Sequence, residues 1–335
     1  MIKRLVLGEA GIGVALVLLA GFFVLAAPNF ATEQNLRNIM TQITLNTVLA
    51  VGMTFVILVG GIDLSVGSAM ALCAVVSGTM MAGSSSAGVL IGAILVSMLV
   101  GGAVGWLNGF ISEQWRVPSF IVTLAMLNIA RGAAERYTDA ATIYNLPAAL
   151  NDFGTLTLVG IPAVFWVALV LAGLGWFVLS RTVFGRLIYA TGNNEEAVRL
   201  SGHKTSRIKI AAFVIAGFTV GVAAILYMAR LNIASPILGQ GYELNAIAAV
   251  VIGGASLMGG RGSMVGTFLG ACLLGVLTNG LLLMGVSDFE RQIITGLVIL
   301  VAVVLDAYRL RLARKLAVTQ PAKAGFGTAG VSAKS

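Results

Sequence analysis

Residues 87–108, Ala-Gly-Val-Leu-Ile-Gly-Ala-Ile-Leu-Val-Ser-Met-Leu-Val-Gly-Gly-Ala-Val-Gly-Trp-Leu-Asn, contain no ionisable side chain. An α-helix rises about 1.5 Å per residue, so a run of this length crosses the roughly 30 Å hydrocarbon core of a bilayer. Outward from it, further apolar stretches lie near 9–27, 39–60, 64–83, 118–137, 161–180, 210–229, 244–258, 264–284 and 289–306. The eighth is short and ends at Gly253-Gly254, which points to a broken or tilted helix. Hydrophobic residues make up 58% and charged residues 10% of the chain, against about 25% charged in a soluble domain. Mean hydropathy is +0.98. A transmembrane β-barrel would alternate apolar and polar residues instead of running apolar. The expected fold is all-α, a polytopic transmembrane helix bundle of about ten spans with both termini cytoplasmic.

The formal charge of +8 does not imply nucleic-acid binding, because the basic residues gather at membrane edges and at the C-terminus. With an internal N-terminus and alternating spans, sixteen basic residues fall on the cytoplasmic side and five (Arg37, Arg131, Arg136, Arg230 and Arg291) on the other. That distribution obeys the positive-inside rule. Met1-Ile2-Lys3-Arg4 ahead of an apolar run resembles a signal peptide. Leu25-Ala26-Ala27 before Pro28 is a poor cleavage point, so the segment reads as a first span. The transmembrane domain is expected over 1–316 and a disordered cytoplasmic tail over 317–335. Cys73 and Cys272 sit inside apolar runs and read as small packing residues. Glycines recur every four residues at Gly101/Gly105/Gly109, Gly217/Gly221 and Gly262/Gly266/Gly270, the pattern of closely crossing helices.

Two kinds of connection stand out. The first, Arg181–Lys209, is long and polar where most others are minimal. Within it Asn194 can cap a short helix opening on Glu195 and Glu196, with Ala197, Arg199 and Ser201 following and Gly202 placed to end it. A short surface helix beneath a bundle suits contact with another protein. The second is the turn Gly60-Gly61-Ile62-Asp63-Leu64-Ser65-Val66-Gly67-Ser68, where Asp63 can accept backbone N–H groups at the start of the third span. A related order recurs in Gly253-Gly254-Ala255-Ser256-Leu257-Met258-Gly259-Gly260-Arg261-Gly262-Ser263, as an internal duplication would produce. Asp63 and Arg261 are a conceivable pair. Asn46, Asn108, Asn128 and Asn279 lie within spans, where amides either line a path for a polyhydroxyl solute or bond helix to helix. No G-x-x-x-x-G-K-[ST] or H-E-x-x-H motif is present, the single histidine is His203, and intramembrane acids and bases are scarce. An ion-coupled carrier needs such groups mid-span, so the driving energy is expected on a partner.

Taken with Pro118-Ser119-Phe120-Ile121-Val122-Thr123-Leu124, Gly192-Asn193-Asn194-Glu195-Glu196-Ala197, Arg199-Leu200-Ser201-Gly202, Gly241-Tyr242-Glu243-Leu244 and Ala246–Gly254, the Gly60–Ser68 segment resembles the ribose-type, simple-sugar permeases of bacterial ATP-binding-cassette importers. The resemblance covers nearly all of the chain before the tail. It implies a type II importer architecture in the bacterial inner membrane. It also implies a second permease subunit, an ATP-binding subunit that holds ATP and magnesium, a periplasmic or surface-tethered sugar-binding protein, and no cofactor on this chain. In that frame Glu196-Ala197 and Gly202 match the Glu-Ala…Gly core of the loop that docks on the ATPase, although its Ile-x-Leu-Pro ending is missing. Asn245 stands where the family usually has Asp. Related permeases for branched-chain amino acids or nucleosides share the architecture. A channel or secondary carrier working alone is the alternative of a different class.

Overall fold

The computed structural model describes residues 9–318. Lys3, Arg4, Lys323, Lys334 and the expected tail beyond 318 lie outside these residues. The described residues form helices α1 (Glu9–Ala26), α2 (Glu33–Leu58), α3 (Val66–Met81), α4 (Ala87–Trp115), α5 (Ser119–Tyr137) and α6 (Ala148–Thr155). A two-residue antiparallel hairpin follows, β1 (Thr157–Leu158) paired with β2 (Ile161–Pro162). The chain continues through α7 (Ala163–Arg181), α8 (Val183–Asn193), α9 (Glu195–Leu200), α10 (Thr205–Leu231), α11 (Tyr242–Ile252), α12 (Met264–Leu283) and α13 (Asp288–Val318).

Each of the ten apolar stretches falls on a helix. Six of these helices, α1, α2, α4, α7, α10 and α12, are long and apolar enough to cross a bilayer. α3 and α11 are shorter, and α5 carries Arg131, Glu135 and Arg136 within its length. The helix ends follow local chemistry. Thr32 caps α2 by accepting the Asn35 N–H at 3.3 Å, and Ser263 caps α12 by accepting the Gly266 N–H at 3.0 Å. Arg116 and Asn232 close α4 and α10 in the left-handed conformation, with φ of 53° and 55°. α11 stops at Ile252, short of the expected 258, because Gly254 turns the chain at φ 85°. Gly262 accordingly precedes α12 instead of lying on it.

α2 is the axis of the bundle, buried at every residue from Thr47 to Leu58. Lipid is as apolar as leucine, so helix association here rests on close packing more than on hydrophobic transfer. The α4–α10 contact shows how close. A Cβ on Gly105 would overlap the Phe213 carbonyl oxygen, and one on Gly217 would overlap that of Gly101. The Ser97 hydroxyl then reaches across to donate to the Gly221 carbonyl at 2.8 Å. The glycine pattern in α4 and α10 is thus a packing seam. α12 is held to α2 partly by the buried Thr54–Thr267 hydroxyl contact at 2.9 Å.

Between α10 and α11 the chain runs as an irregular strap along α3. Ala234 lies over Gly78 near one end of α3, and Gly239 meets Gly67 near the other. Near its start, Ala234 exchanges two backbone hydrogen bonds with Ile143, at 2.8 and 3.0 Å.

Candidate functional site

One end of the bundle gathers the three connections that stand out in the sequence. The two glycine-rich turns touch: the Gly260 N–H donates to the Leu58 carbonyl at 2.9 Å, and a side chain on Gly259 would crowd the Gly60 backbone. The 181–209 connection closes over them. Asn193 donates to the Gly260 carbonyl at 3.2 Å, and the Tyr189 hydroxyl donates to that of Gly262 at 2.9 Å. Gly192 lies so near Leu58 and Gly260 that a methyl group there would overlap backbone.

The connection is more structured than expected, since an additional helix, α8, precedes the short one. Asn194 caps α9, its side-chain oxygen accepting the Ala197 N–H at 3.0 Å. After Leu200 the helix closes through Gly202 at φ 86°, whose N–H donates to the Arg199 carbonyl, while Ser201 donates to that of Ala197. Glu196 and Arg199 form an exposed pair at 2.7 Å, and the guanidinium holds the Glu196 carboxyl below the usual range. Val198 is the buried foot of α9.

Lys209, in the first turns of α10, anchors the arrangement. Its ammonium lies 2.6 Å from Glu195 and 3.2 Å from Glu113, near the end of α4. These groups border a cavity of about 710 Å³ whose walls include Gly60, Gly61, Arg116, Ser119, Glu195 and Arg199. The cleft presents both charge signs and backbone from the 60–61 turn, which suits a polar, charged surface better than a small apolar ligand. Among the described residues no cluster of three or more His, Cys, Asp or Glu could hold a metal ion.

Asp63 is 3% exposed beneath this face. One carboxylate oxygen accepts the Ser65 N–H at 2.8 Å and the Ser65 hydroxyl at 2.6 Å. Asn108 donates to Ser65 Oγ at 2.9 Å and, more distantly, to Asp63 at 3.5 Å. Asp63 thus shapes the turn before α3, whose capping position falls to Ser65. Burial pushes the Asp63 carboxyl up, and its Ser65 and Asn108 bonds only partly offset this. No ion pair joins Asp63 to Arg261 among the described residues; Arg261 offers its carbonyl to the Ser256 N–H instead.

The four span asparagines are dispersed. Asn279 and Asn35 form a buried reciprocal amide pair at 2.9 and 3.0 Å. Asn108 belongs to the Asp63 cluster. Asn46 is half-buried, and Asn128 is exposed on α5, donating only to the Leu124 carbonyl one turn back. Two residues passed over in the sequence prove to join elements here: Lys209, read only as a positive charge, and Glu113. Their charge at a helix end was the sole signal, and it does not identify partners.

Residues 35–303 match the family described as branched-chain amino acid transport system / permease component. The ribose import permease protein RbsC of Escherichia coli (strain K12) is 42% identical over 297 residues, covering 88% of this chain and 92% of that protein. Its counterpart in Bacillus subtilis (strain 168) is 40% identical over 282 residues, 83% of this chain and 86% of that one. The L-arabinose ABC transporter permease protein AraH of Azospirillum brasilense is 35% identical over 303 residues, 90% of this chain and 88% of that protein. No solved structure matches the chain.

Proposed function

The chain belongs to the family of branched-chain amino acid transport system / permease components, and on that premise we propose that it is a membrane-spanning permease subunit of an ATP-binding-cassette importer that brings a simple sugar into the cytoplasm. The curated relatives named for ribose and L-arabinose import support the sugar class. The observation that carries the mechanism is α9: a capped, six-residue helix presented on the basic end of the bundle and tied to α4 and α10 through Lys209. In this reading the basic end faces the cytoplasm, about ten helices cross the inner membrane, and both termini lie inside. An ATPase subunit, holding ATP and magnesium, docks against Asn194–Gly202 and the neighbouring cleft. Its movement pushes on α9, and Lys209 and the glycine-rich turns pass that push to α4, α10, α2 and α11. A second permease subunit completes the passage, and a binding protein delivers the sugar from the far side.

Reconstitution tests this directly. The chain, its ATPase and its binding protein in proteoliposomes should take up radiolabelled D-ribose or L-arabinose only with ATP and the ATPase present. Uptake of leucine in place of sugar would move the chain to the amino-acid branch named by its family. Solute entry without the ATPase would make it a channel or carrier and overturn the proposal.

A further inference from the structure

The strap between α10 and α11 is unusual for a membrane bundle. Its contacts, Ala234 at Gly78 and Gly239 at Gly67, span eleven residues of α3, about 16 Å of helix rise. Non-helical backbone therefore descends far into the apolar layer, where each unpaired polar group costs several kcal/mol. The strap is bonded accordingly. The Arg131 guanidinium of α5 donates to the Pro236 carbonyl and, at 2.9 Å, to that of Leu238. This explains a cation thirteen residues into α5, a costly placement without a partner.

The foot of the strap is polar and open. Gln240 is exposed, and Glu243 and Asn245 are half-exposed; the Glu243 carboxylate accepts the Gly241 N–H at 3.2 Å. Asn128 is exposed one helical turn before Arg131, on the same face of α5. Apolar side chains surround them: Ile129 is 62% exposed, Ile237 61% and Leu244 56%. A carboxylate, three amides and irregular backbone cannot rest against lipid tails, so this surface must meet protein or water.

Building on the reading of the chain as one of two permease subunits, we propose that Gln240–Asn245, with Asn128, forms a water-filled lining of the solute path. A second copy of this chain screens it from lipid. Arg131 holds the strap in place from behind. An uncharged polyhydroxylated solute is the cargo this lining suits, because amides, a carboxylate and backbone carbonyls accept and donate to hydroxyl groups without requiring a countercharge.

Thiol labelling of the full chain in membrane vesicles tests the path. The native Cys73 and Cys272 are buried, so an introduced thiol reports alone. Charged methanethiosulfonate reagents of either sign should modify Gln240→Cys and Asn128→Cys at least about ten-fold faster than Leu99→Cys and Leu174→Cys, whose sites are exposed on α4 and α7. Equal rates at all four sites, or fast labelling at Asn128→Cys alone, would overturn the proposal. The solute role is tested by Glu243→Leu, which should cut ATP-driven D-ribose uptake about ten-fold with the complex still assembled; unchanged uptake overturns that role. Labelling requires neither ATP nor sugar. A wet strap in a wild-type protein that imports no sugar would therefore overturn the proposed cargo and leave the path standing.

Discussion

The Lys209 ammonium lies 2.6 Å from the Glu195 carboxylate, joining the first turns of α10 to the start of α9. Glu113 approaches the same ammonium at 3.2 Å from the last turns of α4. Removing the lysine leaves two carboxylates facing one cleft. Lys209→Met should destabilise the chain by about 2 kcal/mol, the exposed side of Glu195 softening the loss. It should also lower sugar uptake more than ATP hydrolysis. Thermal unfolding and the ratio of transport to hydrolysis measure both effects, and pairing with Glu195→Gln isolates the interaction. A ratio equal to wild type would remove Lys209 from the coupling route.

Glu196 on α9 and Gly202 just beyond its end are both exposed, clear of the core. Glu196→Lys and Gly202→Asp should leave assembly intact and uncouple uptake from hydrolysis. Gly202 adds a cost of about 1 kcal/mol, since φ 86° strains any residue with a Cβ. Full transport by both variants would sink the assignment of α9 as the ATPase contact.

Gly105 faces the Phe213 carbonyl with no room for a side chain, whereas Gly132 has open space at its Cβ position. Gly105→Leu should cost more than about 3 kcal/mol and abolish the monodisperse protein on gel filtration. Gly132→Leu should be tolerated. Normal yield of Gly105→Leu would show that α4 and α10 separate readily.

Burial raises the Asp63 carboxyl above its ordinary 3.8, against the pull of Ser65 and Asn108. The folded chain therefore holds that proton more tightly than the unfolded chain. The stability it contributes is full below 3.8 and is lost as pH climbs through the folded value. Asp63→Asn removes this dependence while keeping an oxygen for Ser65. Its unfolding temperature should gain on wild type as pH rises from about 4 to about 8. A constant difference across that range would contradict the buried, proton-retaining carboxyl.

The sequence alone determined that the chain is an all-α bundle with apolar helices long enough to cross a bilayer, because apolar run length and charge scarcity are local properties. It also located α9, since a cap at Asn194, an acidic first turn and a terminating Gly202 act within one or two turns of helix. What α9 rests on was decided only by the tertiary structure. Lys209, Glu195 and Glu113 are far apart in the chain or lie on different helices, and a charge does not name its partner. The asparagines show the same division: polarity marked them, but only packing separated the Asn35–Asn279 pair and the Asp63–Asn108 cluster from exposed Asn128. The strap was the least legible feature. Residues 232–241 look like an ordinary connection, and their descent along α3 follows from glycine contacts at Gly67 and Gly78 and from Arg131 reaching across from α5.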